Sequence, residues 1–205
     1  ITGNDRLYEH VVRRELRTLP GELFNRSELM RSMREIMQTG HFNPETMDVK
    51  PEPDYENGTV DLTYVLESKA NDQVELSAGW GQTGIIGRLS LKFTNFSIKN
   101  LFNPKTYKGI IPQGDGQTLT LSVQTNARYY QSYSMSFFEP WFGGKRPNSL
   151  SFSIYYSKST ALSTSFYNDN YYGYYDYLYG HNSSATDYTY AIDPDKYIKL
   201  FGVSL

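Results

Sequence analysis

Cysteine is absent from all 205 residues, so no disulfide framework and no thiolate metal site can form. Long apolar runs are absent too. No stretch approaches 18 consecutive hydrophobic residues, which excludes a membrane-spanning helix. Neither sign of charge dominates, with 20 Lys and Arg against 22 Asp and Glu, and this argues against nucleic acid as a partner. No basic, apolar leader opens the chain. Ile1-Thr2-Gly3-Asn4 reads as the interior of a longer sequence.

Chemistry-bearing constellations are missing as well. The three histidines, His10, His41 and His181, show no metal-ligand spacing. Asp193 and Asp195 flank Pro194 without the rest of a calcium loop. Gly79-Trp80-Gly81-Gln82-Thr83-Gly84 matches G-x-G-x-x-G, but a dinucleotide site needs a following helix and an acid some twenty positions on. A strand pattern follows instead, so the stretch reads as a Gly-rich strand end. With no nucleophile elbow or phosphate loop, no catalytic residue, metal or cofactor is expected.

What is abundant is tyrosine, 19 residues, with 16 glycines, and it is unevenly spread. Residues 1–70 hold three tyrosines and a net charge of −4, whereas residues 71–205 hold the other sixteen and a net charge of +2. Two packing regimes are implied, with a division at about residue 70.

The first part reads as helix, helix, strand, strand. Asn4 is placed to cap a helix over about 5–18, with Leu7, Val11 and Val12 as its apolar stripe and Arg13, Arg14 and Arg17 near its C-terminus, where cations suit the helix dipole. Those arginines are a solvated face or a partner-docking patch. Pro20-Gly21 stops the helix. Asn25 and Glu28 resemble a capping box for a second helix with Leu29, Met30, Met33, Ile36 and Met37 at a 3.6 period, and Gly40 ends it. Met47 to Asp54 reads as an edge strand because Pro51 and Pro53 are tolerated only there. Asn57-Gly58 marks a hairpin into the alternating strand Val60–Leu66. Ile1-Thr2 reads as the end of an earlier strand, giving β-α-α-β-β.

The second part alternates with period two in six segments. Val74, Leu76, Ala78 and Trp80 share one face, and Leu89, Leu91 and Phe93 another. Leu119, Leu121 and Val123 follow, then Tyr133, Met135 and Phe137, then Leu150, Phe152, Ile154 and Tyr156. In the last segment Tyr197, Phe201, Val203 and Leu205 share a face that Ile198 and Leu200 blur. Strands of about ten residues suit a tilted bilayer crossing. A soluble β-sandwich also alternates. Three features favour a barrel: opposite faces rich in Ser, Thr and Gln, aromatics near strand ends (Trp80, Phe96, Tyr129, Trp141, Phe142), and short loops at 81–87 and 126–131 beside a long one at 159–195. That long loop carries six tyrosines between 171 and 179, readable as a stacking surface or as a loop steadied by its own aromatics.

These motifs, taken in order, resemble the last POTRA domain and barrel start of BamA-type outer-membrane assembly factors. Ile1-Thr2-Gly3-Asn4 is similar to the family's turn after the first POTRA strand, Val12-Arg13-Arg14-Glu15-Leu16-Arg17 to its Arg-Arg-Glu helix, and Thr39-Gly40-His41-Phe42 to its exit from the second helix. Val60-Asp61-Leu62-Thr63-Tyr64-Val65 resembles the final POTRA strand. Ala78-Gly79-Trp80-Gly81, Asn95-Phe96, Asn100-Leu101-Phe102, Tyr130-Gln131-Ser132-Tyr133 and Glu139-Pro140-Trp141-Phe142 resemble the first barrel strands. The match covers about 1–158. Two departures stand out: Asn103–Gln117 is longer than the usual periplasmic turn, and family barrels have sixteen strands against six here, so the Arg-Gly-Phe loop and the closing strand are not in the chain.

The resemblance implies an α+β POTRA (β-α-α-β-β) over 1–70, its first strand truncated, followed over 71–205 by the N-terminal part of an antiparallel transmembrane β-barrel. It implies a bacterial outer-membrane location with the POTRA domain in the periplasm, loops 81–87, 126–131 and 159–195 outside, and turns near 99–116 and 141–148 on the periplasmic side. It further implies the insertion of client outer-membrane β-barrel proteins by templating on the edge of the first barrel strand: Gln73, Val74, Glu75, Leu76, Ser77, Ala78, Gly79 and Trp80. Accessory periplasmic lipoproteins and outer-membrane lipids are the other implied partners. A related translocator and a passive outer-membrane channel or receptor are the alternatives.

Overall fold

The computed structural model describes residues 1–81, 84–107, 111–126, 129–144, 146–162 and 192–205. Two helices come first, α1 (Glu9–Arg13) and α2 (Arg26–Gln38). A hairpin of β1 (Asp48–Asp54) and β2 (Thr59–Val65) follows. Six more strands then form one sheet: β3 (Gln73–Gly81), β4 (Gly84–Phe96), β5 (Gln117–Asn126), β6 (Tyr130–Glu139), β7 (Leu150–Leu162) and β8 (Ile192–Ser204). Each pairs antiparallel with the next, so sheet order is chain order.

The first helix is much shorter than the expected 5–18. Asn4 caps a tight turn rather than a helix, its Oδ1 accepting from the Leu7 backbone N–H, and α1 begins after Tyr8. The apolar stripe is as expected: Leu7, Val11 and Val12 are buried with Leu29, Ile36, Phe42, Tyr64 and Leu66. In α2, Asn25 does cap, accepting from the Ser27 backbone N–H. Met30 and Met37, expected inside, are exposed. Ser32 takes the central place instead, fully buried, because its hydroxyl accepts from Arg17 N–H and donates to the Glu28 carbonyl. β1 is an edge strand in which Pro51 and Pro53 pair with Leu62 and Val60. Thr2 makes a parallel bridge to Val65, as a strand preceding the helices would.

Register turns the alternation of the long sheet into two unlike faces. Val74, Leu91, Leu121, Met135, Ile154 and Val203 stand side by side across all six strands. The adjoining row on the same face is Leu76, Leu89, Val123, Tyr133, Tyr156 and Phe201. On the other face Ser77, Arg88, Gln124, Ser132, Ser157 and Leu200 form the corresponding row, and Ser153 donates to Ser136 there. The apolar face is open to its surroundings: Leu76 is 81% exposed and Trp80 is 89% exposed. An uncovered apolar sheet with a serine-rich reverse is the outer wall and wet interior of a membrane barrel, not half of a soluble sandwich.

Several boundaries move. Gly84 to Gly87 belong to β4 rather than to a loop. β7 runs on to Leu162 and β8 starts at Ile192, so the long loop expected over 159–195 begins and ends inside strands. Residues 163–191, with the tyrosine run 171–179, lie outside the described residues. The stretch near 99–116 is no simple turn. It contains a 3-10 turn at Pro104–Thr106 and folds back onto the helical part.

Candidate functional site

Among the described residues β3 lies at the edge of the six-stranded sheet and pairs with β4 alone. The pairing runs from Gln73 opposite Lys92 to Gly81 opposite Gly84, so every expected templating residue, Gln73 through Trp80, sits on this one edge. Alternate residues of an antiparallel strand turn their N–H and C=O groups away from the partner, and here they face outward. Support from side chains is uneven along the strand, with Trp80 opposite Ile85 near its far end. Leu76 stands opposite Leu89, whereas Ala78 meets Gly87 and Gly81 meets Gly84, and a Cβ at Gly79 or Gly87 would touch nothing.

The near end of β3 is anchored by a polar junction that sequence reasoning did not foresee. Asp72, immediately before β3, accepts from Thr94 N–H at 3.0 Å and lies 3.4 Å from the Arg6 guanidinium. A β-bulge between Phe93 and Phe96 breaks the alternation that would set Asn95 on the apolar face. Asn95 is buried instead. Its Oδ1 accepts from the N–H groups of Gly114 and Gly116, and its Nδ2 donates to the Arg6 carbonyl at 2.9 Å. Arg6 also donates to Gln113 at 2.9 Å, Tyr8 N–H donates to the Gly114 carbonyl at 2.8 Å, and the Asn100 amide reaches the Tyr8 hydroxyl at 2.6 Å.

Two glycines make this approach possible. Gly114 (φ +137°) leaves room for the Tyr8 ring, which a Cβ would strike, and Gly116 (φ +69°) lies against Val11 and His41. Asp115 between them is buried, accepting from Ser97 at 2.7 Å and facing His10 at 3.5 Å. Burial and the nearby Arg14 charge hold the His41 imidazole below its ordinary pKa.

Trp141, expected in a membrane girdle, belongs to the junction. Its Nε1 donates to Glu15 at 2.7 Å and Arg14 lies 5.5 Å over its ring. The three arginines of the expected docking patch are therefore not one surface. Arg14 turns into the junction. Arg13 pairs with Glu9 in its own helix, and Arg17 pairs with Glu35 at 2.8 Å, which raises its pKa through that hydrogen bond. Arg13 and Arg17 do line one groove of about 640 Å³ beside Leu19, Leu23 and Phe24, and Leu23 is 96% exposed.

Comparison with known proteins adds to this geometry. The family model for POTRA, described as surface antigen variable number repeat, matches residues 1–69, and that for the Omp85 superfamily domain matches residues 113–200. The outer membrane protein assembly factor BamA of Neisseria meningitidis serogroup B is 31% identical over 146 residues, covering 69% of this chain and 16% of that protein. The crystal structure of BamA from Haemophilus ducreyi lacking POTRA domains 1–3 matches with a TM-score of 0.59 at 20% identity, over 78% of this chain and 26% of that one. The chain thus spans a small part of the length of both relatives.

Proposed function

The chain belongs to the BamA-type branch of the Omp85 superfamily, an outer-membrane family with periplasmic POTRA domains, and on that premise we propose that the protein inserts client β-barrel proteins into the outer membrane by strand templating on β3. In this reading residues 1–70 are the POTRA domain and residues 71–205 the first six barrel strands. The observation that supports it is the scarcity of side-chain contact near the far end of β3, where Ala78 meets Gly87 and Gly81 meets Gly84. Outward N–H and C=O groups recruit an extended client strand by β-augmentation. Backbone bonds supply most of the affinity, so many client sequences are accepted. The small residues at Ala78, Gly79 and Gly81 keep side-chain contacts from competing with an incoming strand. Accessory periplasmic lipoproteins dock on the POTRA surface around Arg13 and Arg17, where the apolar Leu23 and Phe24 adjoin charge.

The test is a pair of prolines in the complete protein, Leu76→Pro and Ser77→Pro. Neighbouring N–H groups point to opposite sides of a strand, so one variant loses an outward donor and the other a bond to β4. The outward-facing loss should slow client insertion into vesicles by about tenfold, the worth of one stranded hydrogen bond. Normal insertion by both variants would show that β3 is not the template.

A further inference from the structure

Continued past its aliphatic rows, the apolar face of the sheet ends on two lysines. Lys158 of β7 pairs directly with Lys199 of β8. Register puts both on the face that carries Ile154, Tyr156, Phe201 and Val203, the side turned to lipid. Like charges opposite one another weaken a sheet, and lysine on a lipid-facing surface is costly except near the interface. Both ammonium groups nevertheless lie against the single Tyr197 ring, 5.0 Å and 4.8 Å from its centroid. Among the residues whose side chains are described, neither has a carboxylate partner.

Depth explains why the pair is tolerated. Lys158 lies eight residues along β7 from Leu150, at the end remote from the POTRA domain. That is about 27 Å of strand and about 20 Å of height at the usual tilt, close to the top of an apolar band about 25 Å tall. Lysine stems reach the remaining few ångströms by snorkelling, and Tyr197, two pairs further out on the same face, is an interfacial aromatic.

We infer that Lys158, Lys199 and Tyr197 form a binding site for the phosphate of an anionic lipid in the leaflet remote from the POTRA domain. One phosphate between the ammonium groups removes the repulsion that the ring alone only moderates. The site opens directly onto Tyr156 and Phe201 in the row beneath, which offers an acyl chain an apolar bed and selects a lipid over the free ion. This site rests on the membrane-barrel reading of the sheet but not on templating by β3.

The test uses the complete, delipidated protein in neutral detergent, with phosphatidylglycerol and phosphatidylcholine of identical chains as probes and bound lipid counted by native mass spectrometry. The wild type should prefer phosphatidylglycerol. K158Q/K199Q should bind it about thirtyfold more weakly, the value of two lysines near a lipid surface, with phosphatidylcholine unchanged. K158R/K199R should retain the preference, which separates charge from misfolding, and K50Q/K105Q should keep it with the same net charge as the glutamine variant. Undiminished phosphatidylglycerol binding by K158Q/K199Q would overturn the site, as would complete displacement by inorganic phosphate. Client insertion measured in parallel keeps the two readings apart: it should persist in K158Q/K199Q, and its failure in the β3 proline variants leaves lipid binding untouched.

Discussion

At the scale of single residues, the junction makes the sharpest demands. Gly114 combines a backbone conformation that side chains rarely adopt with contact against the Tyr8 ring. Gly114→Ala should therefore destabilise the docked arrangement by about 1–3 kcal/mol, read as faster amide exchange across residues 113–117. His41 adds a pH dependence. Its folded pKa lies below the ordinary value of 6.5, so the unfolded state binds the extra proton first as pH falls. The stabilisation is complete above about pH 6.5 and is lost progressively below it. The protection factor of the Gly116 amide, against which the imidazole packs, corrected for the intrinsic pH dependence of exchange, should fall between about pH 6.5 and 5, and His41→Gln should flatten that dependence. None of this was legible in the sequence. Asn95 and Arg6 are 89 positions apart, and Trp141 and Glu15 are 126 apart. Neither periodicity nor a local motif links such pairs. The one available signal was Gln113-Gly114-Asp115-Gly116-Gln117, a polar, glycine-spaced run inside an unusually long turn.

At the scale of elements, the strands were readable because a sheet with two unlike solvents writes period two into the chain. β5 illustrates this, with Leu119, Leu121 and Val123 against Thr118, Thr120 and Ser122. The same logic gives a test of which face meets lipid. Leu121→Arg should cost about 2–4 kcal/mol in the folded barrel, whereas Ser122→Arg, on the reverse face, should cost little. Heat-modifiable migration of the two variants checks the difference, and the opposite ranking would invert the wall. α1 was misjudged for the converse reason. Its apolar residues at 7, 11 and 12 satisfy a helical period, yet Asn4 closes a turn on Leu7 and Tyr8 is drawn outward to Gly114, so tertiary bonds shorten the helix. In α2, propensity and period agreed with the fold, but a serine that satisfies two backbone groups is buried while Met30 and Met37 are exposed. Ser32→Ala would leave the Arg17 N–H without its buried acceptor, a loss of about 1–3 kcal/mol, measurable as a lower urea midpoint for the POTRA domain.

At the scale of the whole molecule, the segment between β2 and β3 is pinned along its length. Lys69 N–H bonds to the His41 carbonyl, Phe42 bridges Ser68, and Asp72 holds Thr94. The POTRA domain is therefore held in a set orientation rather than tethered. Asn95→Ala removes three of the bonds that cross or brace the junction and should broaden the distance distribution between spin labels at Glu52 and Gln131, which the absence of native cysteine in this chain makes straightforward to attach. The pinning also gives β3 the mechanics of a cantilever. One end is bolted at Asp72, the other has little side-chain support at the Ala78–Gly87 and Gly81–Gly84 pairs, and thermal displacement of such a beam grows toward its free tip. Fraying of this strand should thus be polarised, starting at Gly81 and running toward Gln73, with the amides of the bolted end the last to exchange.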